Sequence, residues 1–337
     1  MEVICILKNG TTKQYSLIDY SADGELLGSQ GRDIKNNNIG NSYLNILSGG
    51  DPDYMLTIWD WKRKEVKLRT KSFSNDVINL MFSPSIPEQL TTCGMGHIKF
   101  WKMSETFTGL KLQGLIGRFG KTEICDIFGI YPMPDDKILS GCEWGNILVW
   151  DDGLIKVEVC RKNRRPCHTG AITQIFLNKE EVMTIGTDGF IRIWFWETVE
   201  LADPPEDDRF VEIEPMHEFR IGIDNYNTEL LKIVKLDVNN IEDYQWYAQD
   251  GMGGIWLCDL NAEFRPSPPE QLFRCHAGEI VAMNTSSVSH HVATLGKDGR
   301  LYVYDYKKRE LVFYHQFISS GADLIWLPVS VRIFKIF

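Results

Sequence analysis

The stretch EVMTIGTDGFIRIWFW, residues 181–196, returns later in the chain as HVATLGKDGRLYVYDY, residues 291–306. The two copies agree in spacing at Thr184/Thr294, Gly186/Gly296, Asp188/Asp298 and Gly189/Gly299, and the same offset then places Trp194 in one and Tyr304 in the other. Short runs of β-branched and aromatic residues alternate at period two, which is the signature of a strand. Asp-Gly between two such runs marks a tight hairpin, because both residues tolerate positive φ. Each copy therefore reads as strand, turn, strand.

The second half of the phrase recurs along the chain. It appears as TTKQYSL (Tyr15), LTIWDW (Trp59), IKFWKM (Trp101), ILVWDD (Trp150), IRIWFW (Trp194), IWLCDL (Cys258) and LYVYDY (Tyr304), at intervals of 44, 42, 49, 44, 64 and 46 residues. Most of these are close to the ~40–45 residues of a four-stranded propeller blade. The expected fold is all-β, with about seven four-stranded blades over residues 1–337 as a single domain. Repetition answers a burial problem: one small sheet cannot shield both of its faces, whereas stacked sheets cover one another.

These residues resemble the WD-repeat β-propeller family. That family's repeat carries a Gly-His dipeptide, a Ser or Thr on the second strand, a turn Asp and a Trp on the third strand, joined in a hydrogen-bonded tetrad. The resemblance implies one tetrad of His168, Thr184, Asp188 and Trp194, and another of His276, Thr294, Asp298 and Tyr304. Cys167 and Cys275 stand where the family has Gly. Other repeats depart further. One keeps Ser140 and Trp150 with Trp144 in the Asp slot, one keeps Thr91 and Trp101 with Met95 in that slot, and the Cys258 repeat has Ala248 and Met252. The segments VICILKN and TTKQYSL read as second and third strands of a first blade, and DLIWLPVSVRIF, within the tail 318–337, reads as its closing strand. The alternative is a chain cut from a longer one, since Met1 stands directly on a strand.

The net charge of −10 disfavours a nucleic-acid partner, which needs a basic face. No apolar stretch approaches the ~20 residues of a membrane span, and MEVICILKNG does not read as a signal peptide. The eight cysteines are scattered, and Cys93, Cys142 and Cys258 lie in apolar strand-like runs, as expected of buried reduced thiols in a cytosolic compartment.

Charge is unevenly spread. Residues 197–219 hold nine acids, one Arg and three prolines, so an exposed acidic insertion is expected. It reads either as a solvated loop or as a docking site, at Glu206, Asp207 and Asp208, for a basic partner. Two basic runs oppose it, one with Lys62, Arg63 and Lys64, the other with Arg161, Lys162, Arg164 and Arg165. Both follow a third strand, so they map to outer strands, where Lys and Arg discourage edge pairing. The other reading is attachment to an acidic surface such as a tubulin tail.

No catalytic, metal or cofactor site is expected. Neighbouring residues on an extended segment point apart, so Cys167-His168 and Cys275-His276 are poor dyads, and they lack compact zinc-ligand spacing. Gly49-Gly50 and Gly253-Gly254 read as hairpin turns, with no following helix to form a phosphate loop. A propeller without chemistry is expected to be a protein-binding platform, with the rim near His168, Asp188, His276 and Asp298 available for contacts.

Longer phrases narrow the resemblance. GDPDYMLTIWDWKRKEVKLRTKSF, PEQLTTCGMGHIKFWK and SGCEWGNILVWDDGLIKVEVCRKNRRPCH together look most like the cilia- and flagella-associated WD-repeat proteins of the axoneme. That resemblance covers most of residues 1–317. It implies a non-enzymatic scaffold in the cytoplasm and cytoskeleton that helps tether inner-arm dynein to doublet microtubules and supports sperm motility. Its partners would be dynein-tether components and tubulin, with no small-molecule substrate. The competing expectation is a general cytosolic WD adaptor, either microtubule-associated or a ubiquitin-ligase substrate receptor.

Overall fold

The computed structural model describes residues 14–20, 26–32, 54–60, 63, 65–205, 208–222, 228–235, 244–261, 266–278, 280–286 and 288–326. The chain forms two compact units, residues 1–232 and 233–337.

Among the described residues, the first unit holds four sheets. The first comprises β1 (Gln14–Tyr20), β2 (Leu26–Arg32), β3 (Met55–Asp60) and β4 (Glu65–Lys71), in that order. The second comprises β5 (Val77–Phe82), β6 (Gln89–Gly94), β7 (His97–Thr106) and β8 (Gly109–Ile116). The third contains β9 (Ile127–Pro132), β10 (Ile138–Cys142), β11 (Ile147–Asp151) and β12 (Leu154–Cys160). The fourth contains β13 (Ile172–Asn178), β14 (Glu181–Gly186) and β15 (Phe190–Phe195). A single-turn helix α1 (Trp196–Glu200) and the short strands β16 (Phe210–Glu212) and β17 (His217–Arg220) follow. β17 completes the fourth sheet, whereas β16 joins the third.

Among its described residues, the second unit holds two sheets. One is β18 (Leu230–Lys235), within which the division between units falls, β19 (Gln245–Asp250), β20 (Gly254–Asp259) and β21 (Glu270–Arg274). The other is β22 (Ile280–Thr285), β23 (His291–Gly296), β24 (Arg300–Asp305) and β25 (Glu310–Gln316).

The seven aromatic-ended phrases thus fall on six sheets among the described residues. Tyr15 lies on β1 and Trp59 on β3 of one sheet, joined through β2. TTKQYSL is therefore a first strand, not a third. The 44-residue interval matched a blade period only because the connection between β2 and β3 is long. VICILKN, the Gly49-Gly50 turn and residues 327–337 of the closing tail lie outside the described residues, and residues 317–326 carry no strand.

Face-to-face burial holds successive sheets of the first unit together. Leu56 and Ile58 pack with Leu80, Phe82, Leu90, Trp101 and Met103. Cys93 and Ile98 pack with Ile127, Ile130, Leu148 and Trp150. Val149, Val157 and Val159 pack with Ile172, Ile175, Val182 and Trp194. Each such side chain contributes roughly 1.5–3 kcal/mol when fully buried. The third and fourth sheets touch closely: a Cβ on Gly141 would lie 2.3 Å from the Cβ of Ile172. In the second unit, Ala293, Leu295 and Leu301 gather Val281, Val303, Phe317, Leu324 and Trp326.

The acidic insertion is not a loop throughout. It supplies α1, the added strand β16 and the fourth strand β17. Every described register is antiparallel except that of β16 on β12, which pairs Glu158 with Phe210 and Cys160 with Glu212 in parallel. The outer edge of the third sheet is therefore covered by the chain itself. Its basic run Arg161–Arg165 lies beyond that strand, in a one-turn 3-10 segment. Edge protection comes here from backbone pairing and not from Lys and Arg.

Candidate functional site

The hairpin between β14 and β15 sets the geometry of the first predicted tetrad. Val182 pairs with Trp194 and Thr184 with Arg192, so Thr184 and Trp194 share one face of the sheet. The Trp194 indole N–H donates to Thr184 Oγ1 at 2.9 Å. His168 Nε2 is 2.8 Å from the same hydroxyl, and Nδ1 is 2.9 Å from Asp188 Oδ1. His168 Nδ1 also lies 2.8 Å from Arg192 Nη1, so this nitrogen stands between a carboxylate that accepts and a guanidinium that donates. His168, Thr184 and Trp194 are fully buried. Asp188 also accepts the backbone N–H groups of Thr169 and Phe190, at 3.1 and 3.2 Å.

Two glycines make this possible. A Cβ on Gly186 would stand 2.2 Å from His168 Nδ1, so the imidazole needs a bare backbone there. Gly189 turns the hairpin at φ +81°, a conformation costly for other residues.

The second predicted tetrad is assembled in part. His276 Nδ1 lies 3.2 Å from Asp298 Oδ1, and Nε2 lies 3.0 Å from Thr294 Oγ1. Gly296 again leaves room, since a Cβ would meet His276 Nδ1 at 2.2 Å. Tyr304 occupies the Trp position but makes no recorded bond to Thr294; its ring stacks 5.9 Å from that of Tyr302. An indole N–H projects from the ring's side, whereas a phenol O–H projects from its far end, so the substitution moves the donor away.

The departing repeats solve the same problem differently. Trp150 donates to Ser140 Oγ at 2.8 Å, as the spacing suggests. Trp101 donates to Thr92 Oγ1 at 2.9 Å, not to Thr91. The hairpin there is one residue shorter: Leu90 pairs with Trp101, which puts Thr92, not Thr91, on the face of the indole. In the Cys258 repeat, Ala248 and Met252 play no such part. Trp256 donates to Asp250 Oδ2 at 2.8 Å, and Asp250 Oδ1 caps the turn by accepting Met252 N–H and Gly254 N–H at 2.9 and 2.6 Å. Asp250-Gly251 was the available signal.

The first tetrad opens into a charge network. Arg192 is 5% exposed. It donates from Nη1 to Asp188 Oδ2 at 2.8 Å and from Nε to Glu218 Oε2 at 2.7 Å. Glu218 in turn takes a two-pronged contact from Arg161, at 3.1 and 2.8 Å. Arg161 Nε also donates to Glu214 at 2.9 Å, and Lys162 N–H donates to the other oxygen of Glu214 at 2.9 Å. Arg165 lies 3.6 Å from Glu214, and Arg164 pairs with Asp208 while its guanidinium sits 4.3 Å over the Phe210 ring. The sequence left the acidic insertion as a solvated loop or a docking site, and the basic runs as edge protection or a contact for an acidic surface. In the structure, Arg161, Arg164, Arg165 and the Lys162 backbone are matched to Asp208, Glu214 and Glu218 of the insertion. Glu206, Asp207, Lys62 and Lys64 lie outside the described residues. Arg63 is exposed, with its backbone N–H on Asp60 at 2.9 Å and its side chain 3.6 Å from the same carboxylate.

Electrostatics follow from these contacts. Burial opposes ionisation of Asp188, but His168 and Arg192 outweigh it and hold the carboxyl well below its usual range. Glu218 is lowered in the same way, burial being outweighed by Arg161 and Arg192. Burial lowers His168 despite Asp188, so the imidazole is neutral. Burial pushes the Cys167 thiol far up, which removes its thiolate, and its Sγ donates to Val159 O at 3.3 Å, away from His168.

A further polar knot was missed at the sequence stretch LIKVEVC. Glu158, 2% exposed, accepts from Asn146 Nδ2 at 2.8 Å, Arg209 Nε at 3.0 Å, and Trp144 Nε1 and Thr122 Oγ1 at 3.3 Å. Trp144 thus leaves the Asp slot to serve a buried Glu. Arg209, the insertion's one Arg, pins it there. A lone Glu between Val157 and Val159 was the visible signal.

Sheets of four or five strands in series, with an Asp-His-Thr-Trp bond chain inside one of them, define a WD-repeat β-propeller chain. No family model matches it. It is 43% identical to cilia- and flagella-associated protein 44 of Mus musculus over 97% of this chain, and 34% identical to the protein of that name from Chlamydomonas reinhardtii over 91%. Echinoderm microtubule-associated protein-like 2 of Mus musculus is 26% identical over 46% of the chain and 24% of its own length. The chain spans about a sixth of the length of the two cilia- and flagella-associated relatives, 16% of each.

Proposed function

We propose that this chain is a non-catalytic scaffold of the ciliary and flagellar axoneme, which helps tether inner-arm dynein to doublet microtubules and supports sperm motility. The single observation that carries the reading is the 43% identity over 97% of the chain to a protein named for its association with cilia and flagella. The physical form of the chain suits the role. Packed sheets of fixed geometry present edges and turns, the Cys167-His168 pair is buried and occupied in separate bonds, and its thiol is held protonated. It resides in the cytoplasm and cytoskeleton, at the axoneme, with dynein-tether components and tubulin as partners.

The test is extraction of axonemes from cells bearing a tagged copy of the chain. Co-extraction with inner-arm dynein components, and loss of their attachment when the chain is deleted, are expected. Axonemes that keep inner-arm dynein and beat normally after deletion overturn the tether. The similarity to a microtubule-associated protein favours a second reading, a cytosolic microtubule adaptor without a ciliary role. Binding along cytoplasmic microtubules, with none in cilia, supports that reading.

A further inference from the structure

A cleft of about 570 Å³ opens between the second and third sheets of the first unit. One wall is the β6–β8 face, with Gln89, Thr91, Phe100, Lys102 and Leu115; the other is Asp136, Ile138, Trp150 and the Asp151-Asp152-Gly153 turn. The β9–β10 and β11–β12 turns lie at the same end of the third sheet, because its strands alternate in direction. That end is opposite the β10–β11 hairpin, which corresponds to the Asp188 turn of the fourth sheet. This is therefore not the rim singled out from the sequence.

Its chemistry is specific. The floor is aromatic and aliphatic. Leu115, on the β8 wall, stands 45% exposed. The rim is acidic, with Asp136, Asp151 and Asp152 all exposed. Elsewhere in the unit, Asp208, Glu214 and Glu218 of the insertion are matched by Arg161, Arg164 and Arg192, and Glu158 by Arg209. No cation of the described residues pairs with Asp136, Asp151 or Asp152; Asp136 accepts only from Gln89, at 3.0 Å. Lys102, on the opposite wall, is exposed. Asp136 and Asp152 sit at φ +68° and +46°, which fixes the direction of both turns.

We propose that this cleft binds an extended peptide of a partner protein that places an apolar side chain over Phe100 and Leu115 and an Arg or Lys between Asp151 and Asp152. A volume within the roughly 300–1,000 Å³ of ordinary ligand sites accommodates a short segment. Charge complementarity selects a basic partner and excludes acidic tails such as that expected of tubulin. The proposal rests on the cleft alone and is independent of the axonemal reading.

The experiment uses the full chain and a short fluorescein-labelled peptide in which Leu and Arg alternate, with a Leu-Glu counterpart, followed by anisotropy. The Leu-Arg peptide binds and the Leu-Glu peptide does not. The double substitution Asp151→Asn, Asp152→Asn weakens binding by about tenfold, and Lys102→Glu tightens it, with melting temperature unchanged in both because all three side chains are exposed. Equal binding of the two peptides, or indifference to both variants, overturns the proposal. So does protection of Leu115 by a second copy of the chain and not by peptide, which would make the cleft a contact between copies.

Discussion

The sheet of β13, β14, β15 and β17 and the sheet of β22 to β25 are built on the same phrase, yet they are held together differently. Both place an imidazole between a hydroxyl and a carboxylate over a bare glycine. In the first, Arg192 pairs opposite Thr184 and carries the charge of Asp188 onward to Glu218. In the second, Tyr302 pairs opposite Thr294, and its ring meets His276 edge-on at 4.8 Å. Two residues earlier on the strand the exchange is reversed, Phe190 in one and Arg300 in the other. Arg300 turns to Gln316 at 3.0 Å and to backbone carbonyls, and lies 3.8 Å from Asp298. The repeat therefore specifies a hydrogen-bond chain, while the residue opposite its Thr decides whether that chain ends locally or joins a wider charge network.

The comparison is broken most severely at the fourth member. Trp194→Ala empties a fully buried site and removes the Thr184 donor, with an expected cost of about 4 kcal/mol by urea denaturation. Tyr304→Ala costs about half as much, because that residue is only partly buried and makes no bond to Thr294. Equal losses would mean that the two positions are equivalent after all.

Next comes the residue opposite the Thr. Arg192→Met strands Asp188, whose side chain is 5% exposed, and is expected to cost about 3 kcal/mol. Tyr302→Phe removes the 3.3 Å bond to Cys275 O and the phenol's contact with Arg300, about 1 kcal/mol.

Acid sharpens the contrast. His168 titrates below its ordinary 6.5, and Asp188 and Glu218 below the usual carboxylate range. For each group the unfolded chain takes up a proton at higher pH than the folded one, so stability falls on acidification. The His168 contribution is complete above about pH 6.5 and is lost as pH falls through its lower folded value. The carboxylate contributions are complete above about pH 4.5 and are lost further down, as pH falls through theirs. His168→Asn should flatten the upper part of a plot of melting temperature against pH and shrink the Asp188 share of the lower part, leaving that of Glu218. An unchanged profile would show that His168 does not titrate differently on folding.

The smallest effect is at the join with the insertion. Glu218→Gln disconnects Arg161 from Arg192, but Glu218 is 33% exposed, so solvent screens it and about 1 kcal/mol is expected, shrinking in high salt.

Much of this was legible in the chain. The alternation around Trp101, Trp150, Trp194 and Tyr304 marked third strands, and the His168/Asp188 and His276/Asp298 spacings marked residues that meet. Fixed spacing misled where a hairpin changed length, so Thr91 was favoured over Thr92. It misled again where the connection between β2 and β3 gave two strands of one sheet the interval of two blades. Glu158 and Asp250 escaped notice because their partners, such as Arg209 and Trp256, are set by strand pairing and not by a repeated offset.

The sequence by itself determined the all-β character, the hairpins and the polar partners within a repeat, because period-two alternation, turn residues and close glycine spacing act over a few residues. Only the tertiary structure decided that the acidic insertion lies against Arg161, Arg164 and Arg165 and closes the third sheet with β16. Coulomb attraction and backbone pairing depend on distance in space, and chain partners such as Arg161 and Glu218, 57 residues apart, meet only after the sheets between them have packed.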